Sequence, residues 1–530
     1  MSRNRFLNRA NKRVSLGGAA ALLAFAAFMG QLLGILRVKL VNANFSALGP
    51  DSTDAYFAAF KIPDFFFFTV AAGALGVAFM PFLADRIAKG DKKGAWELSN
   101  SLLNLLALVM FAVGVIILVF AEPLIKYVVA PDLSPEQLHN ATMIMRIVAF
   151  NPFLFTISGI LTAVQQTFGR FFFYAIGPLL YNLTIIISIF LFKDNLGLIG
   201  LGIGALAGAI LQLLIALFGF SGLNFKYRAK INWQSKDFRE MLVQLPPRSI
   251  DQGIDSINSI VETNFARRLG EGNISYYENA FVLHTAPTML VGTAISTAAF
   301  PRLTDRIAQG RPDLFRKDFL KILRVMIWLI LPIAVITYFA RGYLARLIFT
   351  RDAPEIALIL GFFVGAIIFR TIYAMMSRWF YAQKDTKTPL FVSLFAIVLN
   401  IILAYTLSRP TAYRVTGLAM AQSIVAGAEV VVLFVVMVVR DHKLLDPAFF
   451  NGLVKIISVT GFTVIATFCM ISILPLESSD RGFVTLSTKL GIIASVTLLV
   501  HVGMSTLFGL EEAKPVVRKI KGIILAPIKI

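Results

Sequence analysis

The chain has 530 residues, of which 57% are hydrophobic and 15% charged, and its formal net charge is +20. This hydrophobicity excludes a soluble globular domain, and the continuous apolar runs argue against an outer-membrane β-barrel, whose strands alternate. The basic residues lie in short loops between apolar runs, which indicates a membrane topology signal and not a nucleic-acid partner. A single cysteine, Cys469, excludes a disulfide framework and a cysteine-based metal site.

Hydrophobic runs long enough to cross a bilayer recur along the whole chain. Residues 1–14 are basic, and the apolar run behind them has no small-residue cleavage site, so it is predicted to be a retained first span. The sequence therefore predicts an all-α polytopic membrane protein with about fourteen spans. They are placed at 15–41, 55–84, 97–121, 137–166, 170–193, 197–222, 238–268, 276–304, 319–348, 354–382, 388–408, 413–439, 450–474 and 483–508.

The loop charges predict the orientation of these spans. Alternate loops are rich in lysine and arginine, such as those at 86–93, 226–230, 302–317 and 440–443. The positive-inside rule places these loops, and with them both termini, in the cytoplasm. The exceptions are basic residues in three opposite loops: Arg267 and Arg268, Arg341 to Arg351, and Arg409 with Arg414.

Span two carries Asp54, Lys61 and Asp64 on one helical face about 80° wide. Two interpretations are open for this set. The charges bind cargo or an ion, or Asp54 instead caps the start of its helix.

Span seven has a narrow polar stripe on an otherwise apolar helix. Its members follow one another by three or four residues and so share a face about 80° wide: Gln244, Arg248, Asp251, Asp255, Asn258 and Glu262. Charges at membrane depth usually face a water-filled cavity or a partner. The stripe therefore predicts a hydrophilic cavity, and the alternative is a set of structural ion pairs between helices.

Two later spans carry further candidates. Arg370 begins a one-sided polar stripe in span ten, and Arg378 is another cation of that span. Glu429 is a lone acid deep in span twelve. Glu429 and Asp255 are candidates for ion coupling, and for Glu429 the alternative is a hydrogen-bonded helix contact.

An internal repeat divides the chain. Residues 71–91 (AAGALGVAFMPFLADRIAKGD) match 291–311 (VGTAISTAAFPRLTDRIAQGR) at an offset of 220, with weaker echoes at similar offsets. Six spans per half give both halves the same orientation, which predicts two parallel six-helix lobes with a site between them. The predicted divisions are a basic cytoplasmic N-terminus (1–14), an N-lobe (15–222), a C-lobe (223–440), a C-terminal helix pair (441–510) and a basic tail (511–530).

No enzyme site and no cofactor are predicted. The four histidines lack metal-ligand spacing, and no phosphate-binding G-x-x-x-x-G-K-[ST] motif occurs. Any coupling would come from an ion gradient or the membrane potential, which is worth about 2.3 kcal/mol per charge per 100 mV.

Several stretches resemble the MurJ/MviN family: 34–37 (GILR), 53–63 (TDAYFAAFKIP), 256–266 (SINSIVETNFA) and 380–389 (FYAQKDTKTP). Members are lipid II flippases of the multidrug/oligosaccharidyl-lipid/polysaccharide exporter superfamily. The resemblance implies a bacterial cytoplasmic-membrane protein that moves undecaprenyl-pyrophosphate-linked cargo by alternating access. It also implies that the last two helices line a lipid groove, and that the partners are this lipid, membrane lipids and cell-wall synthesis proteins.

By the same resemblance, Arg37, Asp54, Lys61 and Glu262 match family positions. The chain departs from the family pattern at Gln31, at 65–68 (FFFF), and at Val282 and Thr285, where members carry charges. Either other cations (Arg248, Arg370, Arg378, His284) replace the missing ones, or the cargo differs. Three alternatives thus stay open: a flippase for another polyprenyl-linked glycan, a drug/ion antiporter, and a transport-inactive scaffold of cell-wall assembly.

Overall fold

The computed structural model describes residues 16–72, 79–223, 225–444 and 446–525, and in these the secondary structure is helical. Short π-helical turns interrupt or extend three of the helices at Phe67–Ala72, Leu124–Val129 and Thr288–Thr293. The α-helices are α1 Leu16–Asn44, α2 Thr53–Phe66, α3 Met80–Ala88, α4 Lys92–Pro123, α5 Pro135–Val148, α6 Asn151–Thr167, α7 Phe172–Phe192, α8 Ile199–Gly219, α9 Lys236–Arg268, α10 Asn273–Pro287, α11 Ala294–Ala308, α12 Pro312–Phe339, α13 Arg341–Ile348, α14 Ala353–Ala382, α15 Lys387–Leu407, α16 Arg414–Arg440, α17 Pro447–Ile473, α18 Phe483–Leu507 and α19 Lys514–Leu525.

Twelve helical segments of the described chain are long and apolar enough to cross a membrane. The predicted all-α polytopic membrane fold is thereby confirmed. The two other predicted spans correspond to α2 with its π-helical extension, which is short, and to α9, which is long but carries the polar stripe. A total of fourteen spans therefore stays a prediction.

The chain packs as two units, residues up to Ser275 and residues from Tyr276 onward. In the first unit, Leu98 and Leu102 of α4 pack with Ile160 of α6 and with Phe238 and Met241 of α9. Helix α9 thus belongs to the first unit by its contacts. The repeat-based prediction places the lobe boundary at 222/223 instead, because the repeat reflects sequence similarity and the contacts reflect packing.

The second unit has its main apolar core around α12, α14, α16 and α17, with Phe319, Met326, Trp379 and Met437 fully or almost fully buried. A polar ladder adds to this core. The Trp328 indole donates to Ser505 Oγ at 2.8 Å, and His501 contacts Trp328 O at 3.1 Å and Thr463 Oγ1 at 2.9 Å. These hydrogen bonds join α12, α17 and α18, and they satisfy polar groups that would be costly to bury alone.

The internal repeat has a counterpart in local structure. Gly90 and Gly310 both have positive φ, and both end a helix with the same pattern of backbone hydrogen bonds to residues three positions earlier. Gly200 and Gly417 lie near the starts of α8 and α16, where a Cβ would come within 2.3 Å of Phe192 and within 2.2 Å of Leu407. Only glycine allows this close approach, so both halves use the same device to pack neighbouring helices.

Candidate functional site

Asp54 is a buried carboxylate of the first unit whose two oxygens both accept hydrogen bonds. Ser52, not Asp54, caps α2 through its side chain. Asp54 is completely buried, and its Oδ1 accepts from the backbone N and the hydroxyl of Ser275 at 2.8 and 2.6 Å. Its Oδ2 accepts from Gly272 N at 2.8 Å and lies 3.5 Å from Arg267 Nη1. Asp54 therefore fixes the turn between α9 and α10 to the start of α2.

Arg267 completes this arrangement, which we call the α2–α10 knot (Asp54, Arg267, Gly272 and Ser275). Its Nη2 donates to Asp132 O at 2.7 Å, and the side chain is 7% exposed. Nearby, Glu271 accepts from Gly49 N at 2.7 Å and from the Gln137 amide. Sequence reasoning missed Arg267 as a site residue, although its position as an exception to the positive-inside rule was a signal.

The polar stripe of α9 is divided by its surroundings. Asn258 and Glu262 are buried, and the Asn258 amide donates to Glu262 Oε1 at 3.2 Å. Asp255, one turn earlier, is exposed. Arg248 and Asp251 lie outside the residues whose side chains the structure describes. The end of the stripe nearest the knot is thus packed, and Asp255 keeps an accessible carboxylate.

Two predicted cations of the first unit lie in polar surroundings. Lys61 of α2 donates to Ser259 Oγ of α9 at 2.7 Å. Arg37 of α1 is half-buried and lies near enough to Tyr56 and Tyr181 for electrostatic interaction with both phenols. Fixed cations inside an apolar bundle are the groups that can hold a phosphate there.

The predicted candidates of the second unit are each held by neighbours. Arg370 donates to Gln422 Oε1 at 2.6 Å, which joins α14 to α16. Arg378 donates to Thr297 at 3.3 Å and lies over the Phe300 ring at 5.4 Å. Glu429 is 6% exposed within α16.

His284 is packed as a core residue. It is 2% exposed, its Nδ1 lies 2.8 Å from Phe281 O, and its ring stacks on Phe363 at 4.5 Å. A side chain held in this way is a poor replacement for an accessible cation. His284 is thus packed among aromatic rings, although Arg370, one of the arginines with which the sequence had grouped it, lies near enough to interact with it electrostatically.

Asp385 lies in the 380–389 stretch that carries part of the family resemblance. Its Oδ1 accepts from the backbone N of Lys387 and of Thr388, both at 3.0 Å, and Arg440 forms a salt bridge with Oδ2. Burial would raise the pKa of this carboxyl, but the hydrogen bonds from Thr388 and Arg440 outweigh it and lower the pKa to about 2. The motif therefore secures the turn into α15 with a carboxylate that is ionised at physiological pH.

The sequence model of the family described as "Lipid II flippase MurJ" matches residues 45–493. The match begins just before α2 and ends within α18, so it includes both units. The chain belongs to the MurJ family.

Curated members of the MurJ family align over most of their length. A "Probable lipid II flippase MurJ" of Rhizobium meliloti is 24% identical over 503 residues, covering 91% of this chain and 92% of the relative. The corresponding protein of Borreliella burgdorferi is 22% identical, covering 80% and 83%. That of Synechocystis is 27% identical, covering 77% and 78%.

Solved structures share the MurJ fold. One titled "Lipid II flippase MurJ, inward closed conformation" has a TM-score of 0.77 at 23% identity and covers 92% of this chain and 98% of its own. An inward-facing multidrug transporter of the MATE family has a TM-score of 0.65 at 17% identity, covering 80% and 98%. At these identities the likeness shows the fold alone and nothing about cargo.

Proposed function

We propose that the chain is a lipid II flippase of a bacterial cytoplasmic membrane. It moves the undecaprenyl-pyrophosphate-linked peptidoglycan precursor from the inner to the outer leaflet by alternating access. The observation that supports this proposal is the match of the MurJ family model to residues 45–493. Twelve apolar helices in the described part of the chain supply the membrane scaffold that such a transporter requires.

The chemistry of the cargo supports the proposed roles of the cations. Hydrocarbon does not solvate a pyrophosphate, which therefore needs fixed positive groups along its path. Arg37 and Lys61 in the first unit, and Arg370 and Arg378 in the second, lie on or beside membrane helices. In this proposal they bind the pyrophosphate, and Arg248, Asp251, Asp255, Asn258 and Glu262 complete the polar path.

The proposal includes no catalysis and no cofactor. The lipid crosses unchanged, so the energy comes from an ion gradient, with Glu429 or Asp255 as the ion site, or from the membrane potential. Membrane lipids are the surrounding partners, and cell-wall synthesis proteins supply and consume the cargo.

Arg37→Ala and Asp255→Ala are each expected to lower lipid II export roughly 10- to 100-fold, the cost of losing a charged hydrogen-bonding group. The measurement is rescue of a bacterium depleted of its own flippase, together with the fraction of lipid II accessible to an enzyme added outside the cell. Arg311→Ala and Asp313→Ala remove the same charges from exposed positions at the start of α12 and should leave export unchanged.

The two parts of this proposal fail separately. If the wild-type chain does not rescue the depleted strain while it is folded in the membrane, lipid II transport is wrong. If the wild-type chain rescues and both variants do so equally well, the transport assignment survives and the site residues are wrong.

Both termini are proposed to lie in the cytoplasm, because the basic loops fall on that side in the predicted topology. A C-terminal alkaline phosphatase fusion should be inactive, and a C-terminal green fluorescent protein fusion should fluoresce. The reverse pair of signals would contradict the orientation, and rescue by the fusions verifies that they are folded.

A further inference from the structure

The connection between α8 and α9 is held against the beginning of α4 by two asparagine side chains. Asn100 Nδ2 donates to Lys226 O at 3.1 Å, and Asn100 Oδ1 accepts from Arg228 N at 3.1 Å. One turn further, Asn104 Nδ2 donates to Arg228 O at 2.7 Å and to Lys230 O at 3.2 Å. These hydrogen bonds hold the connection in place beside α4, and we call this connection the wall.

Aromatic packing and a further hydrogen bond secure both sides of this wall. The Trp96 ring stacks on Phe168 at 5.4 Å and meets Phe225 edge-on at 5.2 Å. At the other end, Asn232 N donates to Ser101 Oγ at 3.0 Å. The wall and α4 thus keep a defined geometry.

Between the wall and α4 lies a pocket of about 270 Å³. Three cations and one carboxylate contribute to its lining, so its formal charge is positive: Lys93, Trp96, Glu97, Asn100, Lys226 and Arg228. In the described part of the chain, none of the three cationic side chains forms a salt bridge. The lining therefore has a net positive charge even with the Glu97 carboxylate included, and this favours an anion.

The position of the pocket along α4 suggests the source of that anion. Apolar side chains of α4 are exposed from Leu108 onward, about 6 Å beyond Asn104 at 1.5 Å per residue. The connection also exposes two aromatic side chains, Tyr227 (60%) and Trp233 (53%). Exposed tyrosine and tryptophan beside lysine and arginine are typical of the headgroup layer at a membrane surface.

We propose that this pocket binds the phosphodiester headgroup of an anionic membrane phospholipid. Lys93, Lys226 and Arg228 hold the phosphate, and the acyl chains follow the exposed apolar face of α4. Arginine can engage phosphate oxygens in bidentate fashion, and basic residues near an anionic membrane surface are attracted to it. The site is separate from the candidate cargo residues, and it does not depend on lipid II transport.

The test is native mass spectrometry of the purified full chain in neutral detergent, titrated with dioleoyl phosphatidylglycerol. The triple variant Lys93→Gln/Lys226→Gln/Arg228→Gln should bind the first lipid roughly 10- to 100-fold more weakly. The matched control Arg311→Gln/Lys317→Gln/Lys321→Gln loses the same charge from exposed positions of the second unit and should bind like the wild type. Equal weakening in both triple variants would overturn the proposal, because it would indicate a general charge effect.

A second variant tests the geometry without removing a cation. The double variant Asn100→Ala/Asn104→Ala removes both side chains that hold the wall but keeps Lys93, Lys226 and Arg228, so binding of the first lipid should again weaken. Binding at the wild-type level would mean that surface charge alone attracts the lipid, contrary to the proposal. Thermal melting verifies that each variant is folded.

Two further ligands identify the chemistry that the pocket recognises. Dioleoylglycerol has the same acyl chains without phosphate, and glycerol 3-phosphate has phosphate without acyl chains. Neither ligand should bind as tightly as phosphatidylglycerol. Equal binding of dioleoylglycerol would assign an apolar groove, and equal binding of glycerol 3-phosphate would assign a soluble ligand, and either result would overturn the lipid headgroup assignment.

Discussion

Asp54→Leu is expected to lower the free energy of unfolding by about 3–5 kcal/mol, the cost of leaving a buried charge without its partner. The substitution leaves the buried Arg267 guanidinium without a counter-charge, and it removes the acceptor of Ser275 and Gly272. Leucine is close to aspartate in size, so lost packing contributes little. Thermal melting of the purified protein measures the change, and export should fall with it because the α2–α10 knot holds a candidate transport helix.

Three comparisons isolate the cause. Asp51→Leu removes an exposed carboxylate three residues away, which accepts one hydrogen bond from Asn140, and should melt near the wild-type temperature. Asp54→Asn keeps the shape of the side chain, and its melting temperature should lie between those of the wild type and of Asp54→Leu. Adding Arg267→Leu to Asp54→Leu removes the unpaired charge and should restore part of the loss. A wild-type melting temperature for Asp54→Leu would contradict the structural role of the knot.

Trp328→Ala is expected to lower the free energy of unfolding by about 3–5 kcal/mol, as other buried large-to-small substitutions do. Trp328 is 3% exposed in the second unit. Its indole N–H and its backbone carbonyl both belong to the polar ladder. The matched control is Trp233→Ala, because that side chain is half-exposed and should melt almost like the wild type. Similar losses in the two variants would show that the ladder does not stabilise α12, α17 and α18.

A pair of milder substitutions separates the hydrogen bond from the packing. Trp328→Phe removes the donor to Ser505 and should cost about 0.5–1.5 kcal/mol more than Trp379→Phe. Trp379 is equally buried, but its indole N–H has no acceptor in the described structure. Equal losses in these two variants would assign the stability of the ladder to packing alone.

The helices were predictable because they depend on local features of the sequence, namely the length of each hydrophobic run and the residues that cap its ends. Span four, predicted to begin at residue 137, begins at Pro135 because Ser134 and Gln137 form a capping box. The outer limits of most predicted spans differ from the helices by a few residues. The structure divides several of them, since Phe150 interrupts one span and a π-helical turn interrupts another.

The candidate site was only partly predictable. A helical wheel shows that Asp255, Asn258 and Glu262 share a face, but it does not show which helix covers that face. Tertiary packing buries Asn258 and Glu262 and leaves Asp255 accessible. The role of Arg267 could not be inferred either, since its partners Asp54 and Asp132 come from distant parts of the chain.

The π-helical turns at Phe67–Ala72 and Thr288–Thr293 fall at matching positions of the repeat. Such a turn is rare and arises when one extra residue enters an α-helix. The same uncommon turn therefore recurs at nearly corresponding places in the two halves, which adds a backbone irregularity to the features that the halves share.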